Sequence, residues 1–370
     1  MKKLIPLLIL VSSQAFSQIA DSSYFSSVRP VNPGVAHSRL QGLATLDASQ
    51  QSIEKKHAVT SGGIVGGINS DVEIQKNNVF YASKGGAIAF EVLANMSTGK
   101  GTEKINSTSS GERNIVNKAD SNYYGGILDL KYLGFSYSGA NYNTNYQFRV
   151  GSPPSISARD INTNIDYTLL KVGTAFKISS FTFGIFGMDR KSDEDRSYTY
   201  YDSTTGNKGT TEFYPATSQA TGFGVGVGYT TKNYRLEIGT EQLSKPKFKY
   251  DEDPLNIIKQ QAASSRSGVT VEARFGKLSL GASVKNNVGN YIDLDDLIMA
   301  NLVYAELSAS ESRLETSFNF GYGSDKGFSY SAFYTQSEAK TDEETIIFPG
   351  NEFPATTNSS AFGGNITYYF

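Results

Sequence analysis

The sequence contains no cysteine, no tryptophan and only two histidines, His37 and His57. Without cysteine, the chain has no disulfides, no thiolate chemistry, no cysteine-based metal site and no lipoprotein anchor. Both histidines precede the strand-rich part of the chain, where a Ser-His-Asp triad or a histidine-based hydrolase would need one. We therefore predict a protein that is not an enzyme, with no catalytic residues, no cofactor and no metal.

The sequence also lacks an excess of charge and a long apolar run. Its 34 Lys+Arg and 36 Asp+Glu leave a net charge of -2, which offers no basic surface for nucleic acid. Beyond residue 20 no apolar run is long enough for a membrane-spanning helix, so any membrane role must come from strands. Acidic runs such as Asp251, Glu252 and Asp253 lack the spacing of a calcium loop, and we interpret them as solvated.

The first residues have the pattern of a secretory signal peptide. Lys2 and Lys3 precede an apolar run over 4–11, and Ala15, Phe16 and Ser17 form a small-x-small cleavage site. The run is too short for a membrane anchor. We therefore predict a signal peptide over 1–17, removed after Ser17.

Aromatic residues and glycine are abundant, with 23 Tyr, 22 Phe and 36 Gly, which favours alternating strands over a helical core. The last ten residues alternate, with Phe362, Ile366, Tyr368 and Phe370 on one face. They carry no charge or proline to protect a free edge, so we expect this strand to be paired on both sides, as in a closed barrel.

The alternation predicts an all-β fold, a transmembrane antiparallel β-barrel of about 14 strands, with 12 or 16 as fallbacks. Its apolar faces, such as Phe318 and Phe320, should meet lipid, and its charged faces should line a wet lumen. The predicted strands are 58–68, 84–98, 122–132, 135–148, 164–178, 181–190, 221–230, 234–243, 267–275, 278–287, 298–308, 313–323, 328–337 and 361–370.

The connections predict the orientation. Long polar stretches near 99–121, 149–163, 191–220 and 244–266 are expected to be external loops, and tight turns such as Ser179-Ser180 and Gly276-Lys277 are expected on the periplasmic side. The rhythm fails after residue 310. Either 344–349 add a strand and 58–68 belong to the plug, or the external loops near 310 are short.

The segment 18–57 has no sustained period, and we predict an N-terminal plug or hatch, with a mobile tail as the alternative and the barrel over 58–370. One predicted strand has an inner face made only of Gly222, Gly224, Gly226 and Gly228. These glycines either let another chain segment pack closely or permit the sheet to bend.

Six predicted lumen-lining charges lie two residues apart along three strands: Arg235, Glu237, Glu272, Arg274, Arg313 and Glu315. They are expected to neutralise one another in ladders. The functional alternative is a constriction whose field selects polar solutes.

Two resemblances extend these predictions. The terminal strand ending in Phe370 is similar to the signal that the barrel-assembly machinery reads in Gram-negative outer-membrane barrels, which implies that machinery as a partner. Asn32, Pro33 and Gly34, followed by Val35 and Ala36, resemble the Asn-Pro-Ala-Gly-Leu-like hatch motif of FadL-type outer-membrane transporters of hydrophobic compounds. That resemblance implies capture of an apolar ligand, a hatch at Asn32, Pro33 and Gly34, and sideways exit through a wall gap sought at the glycine-rich strand.

The sequence thus predicts a protein of the Gram-negative outer membrane, in contact with its lipids and lipopolysaccharide. The function expected first is that of a FadL-like passive channel for hydrophobic small molecules, whose substrate the sequence does not name. The alternatives are a general diffusion porin for small hydrophilic solutes and a non-transporting surface scaffold or adhesin.

Overall fold

The computed structural model describes residues 42–61, 64–84, 86–107, 111–130, 133–150, 157–201, 208–231, 233–245, 247–250, 263–288, 310–323, 326–345 and 348–370. These residues form fifteen strand segments. The segments are β1 Leu43–Ser61, β2 Ile64–Ala82, β3 Ala89–Ser107, β4 Gly111–Asp129, β5 Gly134–Val150, β6 Ser157–Ile178, β7 Phe181–Tyr201, β8 Lys208–Thr230, β9 Tyr234–Leu243, β10 Lys247–Tyr250, β11 Ser264–Phe275, β12 Leu278–Val288, β13 Ser310–Gly323, β14 Gly327–Thr345 and β15 Phe348–Tyr369. No helix in the described part of the chain is long and apolar enough to cross a membrane.

The segments close into one antiparallel barrel. Each pairs with its neighbours in chain order, except that β9 and β10 both pair with β8 and share one position in the wall. β1 closes the ring by pairing with β15, from Leu43↔Tyr369 to His57↔Ala355. The predicted barrel of about 14 strands is therefore confirmed.

The barrel is lined with polar side chains and coated with apolar ones. Phe318 and Phe320, on β13, are 56% and 53% exposed, whereas Glu315 and Ser317 on the alternating face are buried. This arrangement is the inverse of a soluble protein and matches a wall that meets hydrocarbon. On β6, for example, the outward apolar residues run from Leu170 to Ile178, which at about 3.3 Å per residue and a tilt near 40° gives a band of about 20 Å.

Short turns and the described ends of the chain lie at the same end of the barrel. The predicted turns Ser179-Ser180 and Gly276-Lys277 are observed there, and the amide of Phe370 donates to the carbonyl of Gly42 at 3.2 Å. Aromatic rings stack around this rim: Tyr81 lies 5.7 Å from Phe90 and 5.6 Å from Phe370 between ring centroids. Such a rim is the aromatic girdle expected at a membrane interface.

Most strands continue far beyond the apolar band. β6 has 22 residues, which at about 3.3 Å per residue and a tilt near 40° raises its end about 55 Å. Three stretches predicted as external loops, 99–121, 149–163 and 191–220, consist largely of these strand extensions. Both alternating sets of residues in these stretches are largely polar, so the alternation that marks a lipid-facing strand is lost from the sequence.

The predicted boundary between plug and barrel is wrong in part. Residues 43–57, assigned to the plug, belong to wall strand β1, and the predicted strand 58–68 spans the link between β1 and β2. β2 was missed because the polar run from Gln75 to Asn78 interrupts the apolar alternation in its lower half. The rest of the expected plug, with Asn32, Pro33 and Gly34, lies outside the described residues.

The predicted alternation of long loops and short turns fails after residue 310. The cause is neither an added strand at 344–349 nor short external loops near 310. The predicted strand 298–308 lies outside the described residues, and β12 pairs directly with β13 without it. Counting it reversed the direction assigned to the later strands. With β13 next to β12, β13 ends and β14 begins at the short-turn end, and 338–345 and 348–360 form the upper part of the β14–β15 hairpin.

Candidate functional site in the barrel lumen

The inner face of β9, β11, β12 and β13 carries a dense set of buried charges. All six predicted lumen-lining residues lie on this face and are buried: Arg235, Glu237, Glu272, Arg274, Arg313 and Glu315. Buried charges are stable only when they are paired or hydrogen-bonded. The partners of these six residues therefore show how the inner wall is held together.

Arg235 joins two carboxylates at the lower end of this wall. Its guanidinium donates to Glu237 Oε1, two residues along β9, at 2.6 and 3.0 Å. It also reaches Glu272 Oε2 at 3.3 Å, on the residue directly opposite in β11. The expected pairing along one strand is present here, and a cross-strand pair adds to it.

The other predicted pairs are arranged differently. Arg274 donates to the carbonyls of Gly276 and Gly323 at 2.8 and 3.1 Å, and so ties together two turns at the short-turn rim. Glu315 faces Lys285 across the β12–β13 ladder, with 3.8 Å between the charged atoms. The charges therefore neutralise one another mainly between strands.

A second network, which sequence reasoning did not assemble, crosses the glycine-rich strand. Lys171 on β6 donates to both carboxylate oxygens of Glu241 on β9, at 3.0 and 2.9 Å. Glu241 also accepts from Arg266 on β11 at 2.6 Å. The Lys171 side chain passes over the ring of Phe186, 5.1 Å from its centroid, so the pair spans the inner surface of β7 and β8.

The glycines of β8 make this crossing possible. A Cβ on Gly224 would collide with the ring of Phe186, and one on Gly222 would collide with the carbonyl of Gln242. Gly224, Phe186 and Glu241 occupy one lateral row of the sheet. Hence the absent side chains leave space that Phe186 and the Lys171–Glu241 pair fill.

The wall is continuous along these glycines. From Gly222 to Gly228, β8 pairs with β7 and β9 without a register shift. β3 likewise pairs without a shift with β2 and β4. In this part of the described wall the expected opening at Gly222, Gly224, Gly226 and Gly228 is not observed, and close packing by another chain segment stays a prediction.

A compact apolar patch interrupts the polar lining beside the glycines. It is formed by five inward side chains, which we call the apolar patch: Leu169, Phe186, Met188, Ala220 and Leu243. Their sequence signal was the apolar residues on both faces of β7, where Phe181 and Ile185 face outward while Phe186 and Met188 face inward. Alternation alone gave these inner positions no role.

A second apolar group lies at the short-turn end, close to the opposite side of the ring. It consists of Leu43, Phe80, Ala82 and Tyr369, with Ile127 beside them. Between the two groups the inner wall is again polar, for example where Asn78 donates to Asp47 at 2.7 Å. The inner wall thus contains two apolar clusters, whose buried members are at most 5% exposed, separated by hydrogen-bonding side chains.

These features define a class: a closed barrel of fourteen strands with a lipid-facing exterior and a polar inner wall that contains localised apolar clusters. No family model matches the sequence, and no curated protein matches it. Solved structures with a similar fold are the toluene transporter TodX of P. putida, with a TM-score of 0.55 at 9% identity over 97% of this chain and 96% of that one, and a FadL homologue of Pseudomonas aeruginosa, with a TM-score of 0.55 at 10% identity over 91% and 92%. The monoaromatic hydrocarbon channel CymD is similar with a TM-score of 0.52 at 10% identity over 97% and 95%. The chain therefore has the barrel fold of FadL-type transporters.

Proposed function

We propose that this protein is a passive channel of the Gram-negative outer membrane for small molecules with a substantial apolar part. The observation that carries the proposal is the apolar patch on the inner wall, because apolar side chains gathered beside a strand face of glycines are the kind of lining that a site for an apolar molecule needs. The known fold relatives named for toluene and monoaromatic hydrocarbons support the same substrate class.

The chemistry required is binding and passage. The apolar patch shelters the apolar part of the solute, and the ion-pair network beside it holds the wall in one shape. The expected N-terminal plug remains part of the proposal: residues 18–41, which join the wall at the short-turn rim, restrict the free passage of ions through the lumen.

The test is uptake by vesicles that contain the purified full-length chain, with toluene as the probe. Met188→Gln keeps the length of the side chain but replaces its thioether with an amide, so the apolar patch loses affinity. We expect toluene entry to fall about tenfold, the effect of roughly 1.4 kcal/mol. Ile74→Gln is the matched control, because Ile74 is a buried inward residue on β2, outside the apolar patch. Equal losses in both variants would contradict a specific role for the patch.

A general diffusion pore for hydrophilic solutes is the second candidate, favoured by the charged inner face of β9–β13. Planar-bilayer recordings separate the two functions. The channel with its plug should show little steady conductance, and removal of residues 18–41 should open it. A large conductance in the intact chain, together with no toluene uptake above that of empty vesicles, would favour the diffusion pore.

A further inference from the structure

A patch of hydrogen-bonding side chains lies on the outside of β5 and β6. Its outward orientation follows from the alternation, because Tyr137 and Leu170 on the same faces are exposed, whereas Ser138 and Lys171 beside them are buried. We call these six residues the amide patch: Asn141, Asn143, Asn145, Asn162, Asn164 and Asp166.

Side-chain hydrogen bonds hold the amide patch in one arrangement. Asn141 donates from Nδ2 to Asp166 Oδ1 at 2.7 Å and to Asn164 Oδ1 at 3.2 Å. Asn143 donates to Asn141 Oδ1 at 2.9 Å, and Asn145 donates to Asn162. Because these rotamers are already fixed, a ligand that binds here does not have to order them.

The height of the amide patch places it just outside the hydrocarbon. On the outward faces of their strands, Asn141 and Asp166 lie four residues beyond the last large apolar side chains, Tyr137 and Leu170, and Asn145 and Asn162 lie eight residues beyond. At about 3.3 Å per residue and a tilt near 40°, these separations are about 10 and 20 Å in height. Only Gly139 and Thr168 separate the amide patch from the apolar band. A lipid whose acyl chains lie against Leu170 therefore presents its head group to the patch.

The chemistry of the amide patch suits neutral sugars. Each carboxamide offers two donors and an acceptor, and sugar hydroxyls both donate and accept. None of its six residues is a cation. On the neighbouring strands three carboxylates lie directly opposite patch residues, Asp120 on β4 and Asp193 and Asp195 on β7, against one cation, Lys118 on β4. These carboxylates disfavour a phosphate group at the same place.

We propose that the amide patch binds neutral core sugars of the glycolipid that surrounds the barrel in the outer leaflet. The continuity with the apolar band identifies a lipid-borne sugar as the occupant. This inference shares the outer-membrane location with the proposed function and is independent of what the lumen carries.

The test compares lipids that share lipid A and differ in the core oligosaccharide. Purified full-length protein in detergent is titrated with lipopolysaccharide that carries its core sugars and with lipid A that lacks them, and bound lipid is counted by native mass spectrometry. We expect the core-bearing lipid to bind at least about tenfold more tightly, the effect of two or three net hydrogen bonds. Equal affinity for the two lipids would overturn the proposal.

Variants assign the preference to the amide patch. Asn143→Ala/Asn162→Ala should reduce the preference below about threefold, since each substitution removes a carboxamide. The control is Gln336→Ala/Glu338→Ala on β14, where the exposed Glu338 and Lys340 form an ordinary solvated pair at 3.3 Å. That variant should retain the full preference.

Three results would contradict the assignment. The first is an unchanged preference for the core-bearing lipid in the Asn143→Ala/Asn162→Ala variant, and the second is an equal loss of this preference in the β14 control. The third is a preference for the core-bearing lipid that EDTA abolishes. The last result would indicate divalent ions held by carboxylates in place of sugar bound by amides. Folding is checked by the heat-dependent gel migration of the barrel. If the double variant does not fold, Asn143→Ser alone should reduce the preference about twofold to threefold, and no reduction would overturn the proposal.

Discussion

Glu241→Gln is the substitution that most directly tests how the inner wall is held together. Glu241 is completely buried and accepts hydrogen bonds from Lys171 and Arg266, which are themselves only 2% and 4% exposed. Glutamine preserves the shape of the side chain and removes its charge. The two cations then remain in the wall without the carboxylate that they share.

The expected loss of stability is about 3–5 kcal/mol, the range found when one partner of a buried ion pair is removed. The exposed pair of Glu338 and Lys340 provides the control, since Glu338 is 54% exposed and its pairing is screened by water. Glu338→Gln should therefore change stability by less than about 1 kcal/mol. Adding Lys171→Met to Glu241→Gln should recover about 1–2 kcal/mol of stability, because one of the two cations that lost the Glu241 carboxylate is removed.

The assay is equilibrium unfolding of the barrel by guanidinium chloride in detergent micelles. The chain has no tryptophan, so the far-ultraviolet circular dichroism of its strands is the appropriate signal. If Glu241→Gln and Glu338→Gln shift the unfolding midpoint equally, the interior is wet enough to screen the network, and the reasoning from burial is refuted.

Three further predictions concern the wall. Gly224→Ala should destabilise the barrel by about 1–3 kcal/mol because the new Cβ meets the Phe186 ring. In Gly228→Ala the new Cβ lies 3.7 Å from the nearest side-chain atom, so this variant should lose clearly less stability in the same assay. Equal losses would contradict the packing described. Removal of Phe370 eliminates the ring stacked on Tyr81 and should slow assembly in vesicles, measured by gel migration, more than Phe328→Ala does on the neighbouring strand β14; equal rates would argue against a special role for the terminal ring. Since the chain has no cysteine, Val79→Cys/Ala94→Cys links the paired positions of β2 and β3, and toluene uptake should be the same oxidised and reduced; uptake restored only by reduction would show that the wall opens there.

The sequence was most informative where the barrel meets lipid. On β13, and on β7 from Phe181 to Ile185, large apolar residues alternate with polar or small ones, and these strands were placed within a few residues of their membrane parts. Above the band both faces are in water or polar surroundings, so the same strands lose their period and resemble loops. β2 was missed for a different reason, because Gln75 and Asn77 occupy outward positions in its lower half. The total of fourteen was still reached because 298–308 was counted in its place.

The sequence predicts which charged residues lie on the inner face of the barrel, but it does not predict which of them contact one another. Alternation assigns Arg235 and Glu272 to the interior, but their contact depends on the register between β9 and β11, which a single sequence does not reveal. The contact between Lys171 and Glu241 is less accessible still, since it crosses two intervening strands. The inward Phe186 and Met188 were overlooked because a strand that is apolar on both faces gives no sign of which residues are inside.

The height of the wall determines which molecules can reach the mouth. Roughly half of each long strand extends beyond the hydrocarbon. The entrance to the barrel therefore lies above the lipid head groups. A compound dissolved in the outer leaflet meets only the outer surface of the paired strands. A compound dispersed in the surrounding fluid reaches the rim directly, so the proposed channel should take its substrate from that fluid in preference to the leaflet.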